Sequence, residues 1–505
     1  MFFFHIFSPS NGRSITNAMT TQNELFKSYE VPNGLLDEVY TEFDNYFSEY
    51  SLITDLFHSL SSADFQRLNE YAKLSFLNQG ITYAVYSDKR ASTEKIFPFD
   101  LFPRVIHQEE WSKIEQGLIQ RNTALNLFLK DIYSHQQIIK DKVIPEFLVK
   151  SSPHYCDLMQ GFAPEADIFC HICGTDLIRH SDGNFYVLED NLRCPSGVSY
   201  VLSNRETMRR TLSDVFRMMS VEAVNHYPSM LLQILQSVSP PTDEEPFCVL
   251  LTPGQYNSAY YEHSFLAQYM GIDLVEGKDL YVEGEMVYLR TIRGPQKVDV
   301  IYRRVDDQFM DPDVFRKDSV LGVKGIMHAY LAGNVTLVNA PGTGVSDDKA
   351  ICSFVPDMIR YYLDQEPIIS NVPTYICEKE EDLTYVLDHL SELVVKPVDM
   401  SGGYGVMVGD QLSTKELAEL REKVKAKPRN FIAQPIMRLS VHSTYIEENN
   451  SFKPRHIDLR TYTLLGRDQH FVLPGGLTRV ALKEGSLIVN SSQGGGSKDT
   501  WVVSD

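Results

Sequence analysis

The sequence predicts a mixed α/β (α+β) protein, and three observations lead to that prediction. Near residue 183 an Asp-Gly pair separates two short extended runs, a pattern typical of a β-hairpin. Over residues 247–345, strand-type and helix-type segments alternate as in a small doubly wound domain. Upstream of the hairpin the apolar residues recur mainly at helical spacing. A chain of 505 residues has room for about three such parts.

Composition and charge indicate an ordinary globular protein, with 43% hydrophobic and 23% charged residues. The net charge of −20 argues against a nucleic-acid-binding surface, because phosphate binding needs clustered Lys and Arg. An acidic protein can still bind a nucleotide if it concentrates its cations in one cleft. Seven cysteines, an odd number in a long chain, favour free thiols and a cytoplasmic location.

Residues 1–34 are predicted to be a disordered or weakly attached leader. The apolar start MFFFHIF has no basic flank and is too short for a spanning helix. Because no other stretch approaches the length of a membrane span, we expect no membrane contact. Met19 is a candidate initiator, in which case residues 1–18 are an over-extended gene start.

Residues 35–236 are predicted to be mostly helical up to about residue 150 and again over 203–236. One helix is expected to bury a face formed by Trp111, Ile114, Leu118, Leu125, Phe128, Leu129 and Ile132. Arg121 and Asp131 on the same segment are interpreted as solvated or ion-paired rather than catalytic.

The hairpin between these helical parts gathers oxygen atoms on one face. A two-residue type I′ turn places Asp176 opposite Glu189, and strand alternation puts Asn191 beside Glu189, with Leu188 and Asp190 on the other face. Two facing carboxylates destabilise a bare sheet. Mg²⁺, which uses one or two carboxylates together with substrate phosphates, would turn the pair into a site. The alternative is a solvated hairpin whose repulsion is screened by salt.

Residues 247–345 follow a linker at 237–246 that is rich in proline and acids. The strand-type runs FCVLLT and VDVIYRR, with helix-type sequence between them, predict a small doubly wound domain. Its loop Asn339–Lys349, NAPGTGVSDDK, is rich in glycine and charge and could line a cleft.

Residues 351–505 mix helices with strands that have polar faces. Lys396 ends a buried-type strand and precedes the run SGGYG, where glycines let backbone amides approach phosphate oxygens. The lysine precedes the glycines, so this is not a Walker A motif, and a plain turn is the alternative. A second run, Ser491–Lys498, is either a phosphate loop or a flexible loop.

Arginines mark a further strand of this part. His456, Asp458 and Arg460 share one face of an alternating strand. An arginine beside a carboxylate can hold a transferring phosphoryl group or an acyl phosphate, although an edge strand facing solvent would look alike. Arg479 is a second candidate of the same kind.

Two other motifs lack the partners that their chemistry needs. The run CHIC at 170–173 matches C-x-x-C, but no second ligand pair follows at zinc spacing, which favours buried thiols. Ser258 lies near Glu262 and His263 without a G-x-S-x-G elbow, so a hydrolase triad has little support.

Together these pieces resemble an ATP-grasp enzyme. The matching elements are LVVKPVDMSGGYGV, FIAQP, HIDLRTY and an E-x-N strand, EDN, preceded by Asp176. The E-x-N strand comes roughly 200 residues before Lys396 instead of last. That order resembles the circularly permuted ATP-grasp family, which is similar to the ligase domain of glutathionylspermidine synthases. Stretches such as LEDNLRCPSGVSYVLSNR and NSSQGGGSKDTWV look like its signatures, and the resemblance covers about residues 35–505.

The resemblance implies a permuted ATP-grasp fold. Residues 35–236 would contain its metal-binding part, 247–345 a Rossmann-like pre-ATP-grasp domain that helps to bind substrate, and 351–505 the nucleotide-binding part. One or two Mg²⁺ ions would be bound by Asp176, Glu189 and Asn191. ATP would be bound by Lys396, Ser401, Gly402, Gly403, Gly405, Gln434 and Asp458. The γ-phosphate or an acyl phosphate would be held by Arg460, with Arg193 and Arg479 as further candidates.

The implied reaction is ATP-dependent carboxylate–amine ligation. A substrate carboxylate attacks the γ-phosphate, and an amine then displaces phosphate from the acyl phosphate to leave an amide. The expected partners are small-molecule or peptide carboxylates and amines. No counterpart of the amidase domain of some glutathionylspermidine synthases is present, so only ligase chemistry carries over. A nucleotide-binding protein without turnover and a small-molecule kinase are the alternatives.

Overall fold

The computed structural model describes residues 24–30, 32–41, 45–87, 90–400, 402–489 and 495–504, with the backbone alone over 83–95. Most of the predicted leader, including Met19, lies outside the described residues. The part of it that is described packs against the fold: Leu25 is fully buried, and Phe26 stacks on Phe452 with ring centroids 4.6 Å apart. This packing differs from the weak attachment that the sequence predicts.

The secondary structure of the described residues combines helices and strands throughout the chain. The helices are α1 (Ser51–Ser59), α2 (Ser62–Asn78), α3 (Gln108–Ile132), α4 (Gln137–Lys140), α5 (Glu146–Lys150), α6 (Val198–Thr211), α7 (Ser213–Met218), α8 (Tyr227–Ser237), α9 (Tyr260–Met270), α10 (Asp307–Met310), α11 (Ile326–Leu331), α12 (Lys349–Cys352), α13 (Val355–Leu363), α14 (Glu380–Asp388) and α15 (Thr414–Ala426).

The strands run through all parts of the chain in the same way. They are β1 (Thr82–Ser87), β2 (Arg90–Ile96), β3 (Phe99–His107), β4 (Ile172–Arg179), β5 (Phe185–Asn191), β6 (Ser220–Val221), β7 (Cys248–Leu251), β8 (Asp273–Val275), β9 (Leu280–Glu283), β10 (Met286–Thr291), β11 (Gly294–Lys297), β12 (Val300–Arg303), β13 (Thr336–Val338), β14 (Ser370–Asn371), β15 (Tyr375–Ile376), β16 (Leu393–Pro397), β17 (Met407–Val408), β18 (Phe431–Pro435), β19 (Val441–Ile446), β20 (Ser451–Leu465), β21 (His470–Val472), β22 (Leu477–Val480) and β23 (Gly496–Ser504).

A large mixed sheet forms the centre of the fold. Its main path runs β14-β5-β4-β20-β22-β23-β3, so strands from both ends of the chain lie side by side. The strand β3 corrects the mostly helical prediction for this region, since residues 82–107 form three strands. All of β3 except its two end residues is buried, so it lacks the polar–apolar alternation by which a half-exposed strand is recognised.

Helix α3 agrees with the prediction. The seven apolar residues expected on its buried face are all buried. Arg121 on the same helix is buried too, and its Nη2 lies 2.6 Å from Oδ2 of Asp190 on β5. The ion-paired interpretation of Arg121 is therefore confirmed. Within the described residues, no helix combines the length and apolar character that a membrane span requires.

The predicted strand–helix–strand region forms a separate parallel sheet with the order β13-β12-β7-β8. At its carboxyl end, Asn339 connects this sheet to the central hairpin. Its Oδ1 accepts from the backbone N of His171 and Ile172 at 2.7 and 2.9 Å, and its Nδ2 donates to the Leu192 carbonyl at 2.6 Å. This contact brings the loop 339–349 beside β4 and β5.

A third sheet, ordered β15-β18-β16-β17, is antiparallel and carries the predicted nucleotide-binding strands. Helices α14 and α15 cover the face of this sheet opposite to Lys396, with Val395, Leu420, Val424 and Ala433 among the core residues they share. The register sets Val394 opposite Gln434.

Candidate active site

The acidic pair of the hairpin forms as predicted. Strands β4 and β5 are antiparallel, with Asp176 opposite Glu189 and Gly174 opposite Asn191. Strand β20 pairs with β4 on the side away from β5, so the acidic pair lies inside the central sheet. A sheet interior holds side chains more rigidly than a loop does, which suits a site that needs fixed geometry.

The turn of the hairpin differs from the prediction. His180 N donates to Asn184 O at 3.0 Å, so three residues form the loop instead of two, and Gly183 has a left-handed φ of 86°. A bulge next to Asp176 absorbs the change and keeps the register of the acidic pair. One consequence is that Leu188, predicted on the opposite face, lines the same cavity as Glu189.

Two arginines hold Asp176. Its Oδ1 accepts from Arg460 Nε at 2.6 Å, and its Oδ2 accepts from Arg460 Nη2 at 2.7 Å and Arg479 Nη2 at 2.8 Å. Burial raises the pKa of the Asp176 carboxyl, but the two guanidiniums outweigh it and hold that pKa well below its usual range. Arg479 also pairs with Asp458, directly opposite it on β20. Two acids and two arginines thus form one buried network.

Two of the three residues predicted to bind a metal ion, Glu189 and Asn191, lie on β5. The Glu189 side chain is 16% exposed, and its only ion pair among the described residues is with Lys349 Nζ at 3.4 Å. Asn191 Nδ2 donates to the Gly174 carbonyl at 3.1 Å, which orients the amide group. No group of three or more His, Cys, Asp and Glu side chains at metal-binding spacing occurs in the described ranges. A carboxylate and an amide oxygen nevertheless fit Mg²⁺, which takes its other ligands from phosphates and water.

Lys396 lies on β16 and faces the acidic pair. The residue is only 9% exposed, and its Nζ donates to Gln434 Oε1 at 2.7 Å, while Gln434 Nε2 donates to Thr374 Oγ1 at 3.0 Å. Burial lowers the pKa of Lys396 to about 8, although the nearby Glu189 carboxylate opposes that shift. Gln434 therefore fixes the direction of the Lys396 ammonium, which lies in a largely apolar wall.

One cavity joins these groups, and we call it the nucleotide cavity after the ligand that the sequence predicts for these residues. Asp176 and Glu189 from the hairpin, and Lys396 and Gln434 from the third sheet, line the same space of about 100 Å³. Asp458 and Arg479 lie in its wall as well. Its remaining wall is largely apolar, with Val394, Val408, Met437, Leu439 and Ile488. Residues far apart in sequence are thus brought together as predicted.

The glycine run covers one side of this cavity. Gly403 and Tyr404 line it directly, whereas Ser401 lies outside the described residues. Gly402, Gly403 and Gly405 have φ values of 69°, 75° and 72°, a region that favours glycine. A Cβ on Gly405 would lie 2.8 Å from the ring of Pro397. Both this steric contact and the left-handed φ exclude larger residues at position 405.

Lys349 is a residue of the site that the sequence analysis did not single out. It is the first residue of α12, and the preceding Asp348 anchors it by accepting from Ala350 N at 2.9 Å and pairing with Arg429 at 2.7 Å. The Lys349 ammonium pairs with Glu189 and donates to the Met400 carbonyl at the start of the glycine run. The sequence feature that could have pointed to Lys349 is the charged, glycine-rich loop 339–349, which ends at this lysine.

A second cavity shares lining residues with the first, and we call it the acceptor cavity after the amine acceptor of the predicted ligation. Its lining residues are His154, Glu189, Asp190, Asn191, Arg193, Asp347, Lys349, Asp399 and Met400. Arg193 therefore lies in this cavity, and it is not among the lining residues of the nucleotide cavity. Its Nη1 donates to Asp306 at 2.8 Å, and its Nε lies 3.7 Å from Asp347. Burial raises the pKa of Asp347 to about 7, against the opposing effect of Arg193.

Other predicted motifs lie elsewhere in the fold. Lys498 of the second glycine run is fully buried against Asp100 and donates to the Ser443 carbonyl at 2.8 Å, while residues 490–494 fall outside the described ranges. Cys170 and Cys173 are buried free thiols, which agrees with the preferred interpretation of the C-x-x-C motif. His263 bonds to Thr252 Oγ1 at 2.9 Å and serves the packing of the parallel sheet.

Comparison with known proteins supports the ATP-grasp fold that the sequence predicts. Residues 103–481 match the family model described as circularly permuted ATP-grasp type 2. An uncharacterised protein from Synechocystis sp. is 50% identical over 477 residues, which are 94% of this chain and 98% of that protein. A solved glutathione synthetase-like effector from Globodera pallida has a TM-score of 0.57 at 12% identity and covers 88% of this chain and 98% of its own. At that identity the likeness concerns the fold alone.

A further relative comes from Frankia casuarinae and is named "Putative glutamate--cysteine ligase 2-2". It is 39% identical over 84% of this chain, and this chain spans 48% of that protein. The predicted fold class, α/β with a permuted ATP-grasp arrangement, is confirmed by the family match and by the observed sheets. The chain belongs to the circularly permuted ATP-grasp type 2 family.

Proposed function

We propose that this protein is an ATP- and Mg²⁺-dependent carboxylate–amine ligase that works through an acyl phosphate, similar to the ligase domain of glutathionylspermidine synthases. The observation that carries the proposal is that Glu189 and Lys396, distant in sequence, line one cavity. Triphosphate chemistry needs a metal-binding acid and a phosphate-binding cation in the same site. The ligase name of the Frankia casuarinae relative agrees with the proposal.

In this proposal the nucleotide lies between the hairpin and the third sheet. Lys396 contacts the phosphates, the glycines at 402–405 cover them, and Gln434 lies at the adenine edge. Ser401 is a further ligand that the sequence predicts. The apolar wall around Val394 and Met437 suits a purine ring, because an aromatic ring loses little when it leaves water. Asp458 contributes by holding Arg479 in this wall.

Glu189 and Asn191 would hold one or two Mg²⁺ ions, with Asp176 as the third predicted ligand. The metal supplies charge neutralisation on the β- and γ-phosphates when it is bound. Asp176 already accepts three hydrogen bonds from arginines, so we expect its main contribution to be the orientation of Arg460 and Arg479. Those two arginines, with Arg193 as the third candidate, would stabilise the negative charge of the transferred phosphoryl group.

The chemical steps need no protein nucleophile. An oxygen of the substrate carboxylate attacks the γ-phosphorus, the bond to the β-phosphate oxygen breaks, and ADP leaves. An amine nitrogen that has lost a proton then attacks the acyl carbon, and phosphate departs with the bonding electron pair. Lys349 lies where both cavities meet, so its ammonium is placed to follow the phosphoryl group through both steps.

A hydroxylamine trap tests this function. The protein would be incubated with ATP, Mg²⁺, a panel of small carboxylates and hydroxylamine, and hydroxamates would be measured by mass spectrometry. A ligase produces hydroxamate, ADP and free phosphate in equal amounts. A small-molecule kinase would give a stable phosphoester without hydroxamate, and a binding protein would give neither. The free thiols of all seven cysteines agree with the cytoplasm as the proposed location.

A further inference from the structure

The acceptor cavity begins where the nucleotide cavity ends. Glu189, Lys349 and Met400 line both cavities, so a phosphoryl group held between Glu189 and Lys349 would be accessible from each. The two spaces differ in character, because Met400 is the one apolar residue among the described residues that line the acceptor cavity. The cavity has about 20 Å³ in this structure, so a ligand larger than water requires its lining to move, and the lining favours a ligand that is charged or polar over most of its surface.

The charges in the acceptor cavity are not all compensated within it. Lys349 neutralises Glu189, and Arg121, which lies outside the cavity, neutralises Asp190. Asp347 lies 3.7 Å from Arg193 Nε and accepts from Leu192 N at 2.7 Å, whereas Asp399 makes no ion pair in the described parts of the chain. A cationic group is the ligand that the carboxylate of Asp399 favours.

Arg193 gives the cavity a positive end. Asp306 and Asp347 hold its Nη1 and Nε sides, while its Nη2 amino group has no hydrogen-bond partner among the described residues. Asp306 follows β12 of the parallel sheet, so the second sheet of the protein fixes the direction of this guanidinium. A guanidinium held in this way can donate charge-assisted hydrogen bonds from Nη2 to a carboxylate.

We infer that the acceptor cavity binds the amine substrate and that this substrate is a free α-amino acid, with its carboxylate on Arg193 and its ammonium between Asp347 and Asp399. This inference rests on the proposed ligase function. A polyamine would satisfy the two aspartates but leave Arg193 facing positive charge. In the ligation step the ammonium gives one proton to a cavity carboxylate, and its nitrogen then forms the amide bond as the bond from acyl carbon to phosphate oxygen breaks.

Competition against hydroxylamine tests the inference. With a carboxylate that forms hydroxamate, the protein would receive hydroxylamine together with one of three pools: the twenty free L-amino acids, their α-amides, or aliphatic polyamines including spermidine. Amide products and hydroxamate would be measured by mass spectrometry. We expect products from the free amino acids to exceed those from the α-amides by at least about ten-fold, since the amides lack the carboxylate for Arg193.

Arg193→Gln should lower the ratio of amino-acid product to hydroxamate by at least about ten-fold. The amino acid loses the contact between its carboxylate and Arg193, whereas hydroxylamine has no carboxylate that could make this contact. Arg209→Gln, an exposed arginine on α6, is the matched control and should leave that ratio unchanged. Equal use of acids and amides, preference for polyamines, or hydroxamate formation without any amide product would overturn the inference and leave the proposed function standing. Failure to form hydroxamate with any carboxylate would instead refute the proposed function itself.

Discussion

The carboxylate of Glu189 lies 3.4 Å from the ammonium nitrogen of Lys349, and both residues line the nucleotide cavity and the acceptor cavity. Glu189 comes from the central hairpin, whereas Lys349 begins a helix after the parallel sheet. Their contact therefore joins the central hairpin to helix α12 at the point where the proposed reaction takes place. A cation bound by Glu189 would displace the lysine toward the phosphates.

Replacing Glu189 by glutamine should abolish Mg²⁺-dependent turnover. The substitution keeps the size of the side chain but removes the charge that holds the metal, so we expect ADP release to fall by at least about 100-fold. Thermal unfolding followed by circular dichroism should remain close to that of the unchanged protein. Glu283→Gln, at an exposed position on β9, is the control. Normal rates in the Glu189→Gln protein would count against the assignment.

Replacing Lys349 by methionine should change Mg²⁺ binding and turnover in opposite directions. Since the lysine competes with a metal ion for Glu189, its removal should tighten Mg²⁺ binding in the absence of nucleotide by about two- to five-fold, the strength of a modest ion pair. Turnover should fall at the same time, because the phosphoryl group loses a neighbouring cation. Calorimetric Mg²⁺ titration and ADP release measure the two changes. Weaker Mg²⁺ binding in this variant would contradict the proposal that Lys349 and Mg²⁺ compete for the Glu189 carboxylate.

The lowered pKa of Lys396 predicts a pH dependence of nucleotide binding. Burial brings that pKa to about 8, so the charged form that binds phosphate prevails below pH 8 and is lost as the pH rises through it. Above pH 8 the affinity for ADP should fall by up to about ten-fold per pH unit, with proton uptake on binding. Calorimetry between pH 7 and pH 9 in buffers of different ionisation enthalpy measures both quantities.

Two variants check that Lys396 causes this behaviour. Lys396→Ala should weaken nucleotide binding at every pH and remove the proton uptake, because no titrating ammonium remains. Lys423→Ala, on the exposed face of α15, should retain both the affinity and the pH profile. Unchanged nucleotide affinity in Lys396→Ala would remove the lysine from the site.

Replacing Arg121 by methionine tests the support beneath the hairpin. Asp190 would be left buried without its guanidinium partner, which should lower the free energy of unfolding by about 3–5 kcal/mol. Urea-induced unfolding followed by fluorescence measures that change. The double variant Arg121→Met with Asp190→Asn should regain part of the loss, since it removes the uncompensated charge. A loss below about 1 kcal/mol for the single variant would mean that water reaches Asp190.

Local patterns in the sequence determined several features of this protein. The buried face of α3 follows from the helical repeat, and the common face of Glu189 and Asn191 follows from the strand repeat. The lysine before the glycine run is read directly from the sequence, whereas Asp176 faces Glu189 because a bulge compensates for the three-residue loop. The permuted order of the motifs also stands in the sequence and agrees with the family to which the chain belongs.

Tertiary contacts decided the remaining features. The buried strand β3 shows no alternation, because both of its faces pack against other parts of the chain. The arginines on Asp176 come from β20 and β22, and the contact of Lys349 with Glu189 connects helix α12 with the central sheet. Such contacts depend on the path of the whole chain, which no short window of sequence contains. The sequence therefore specified the chemical groups of the site, and the packing of three sheets determined which of them meet.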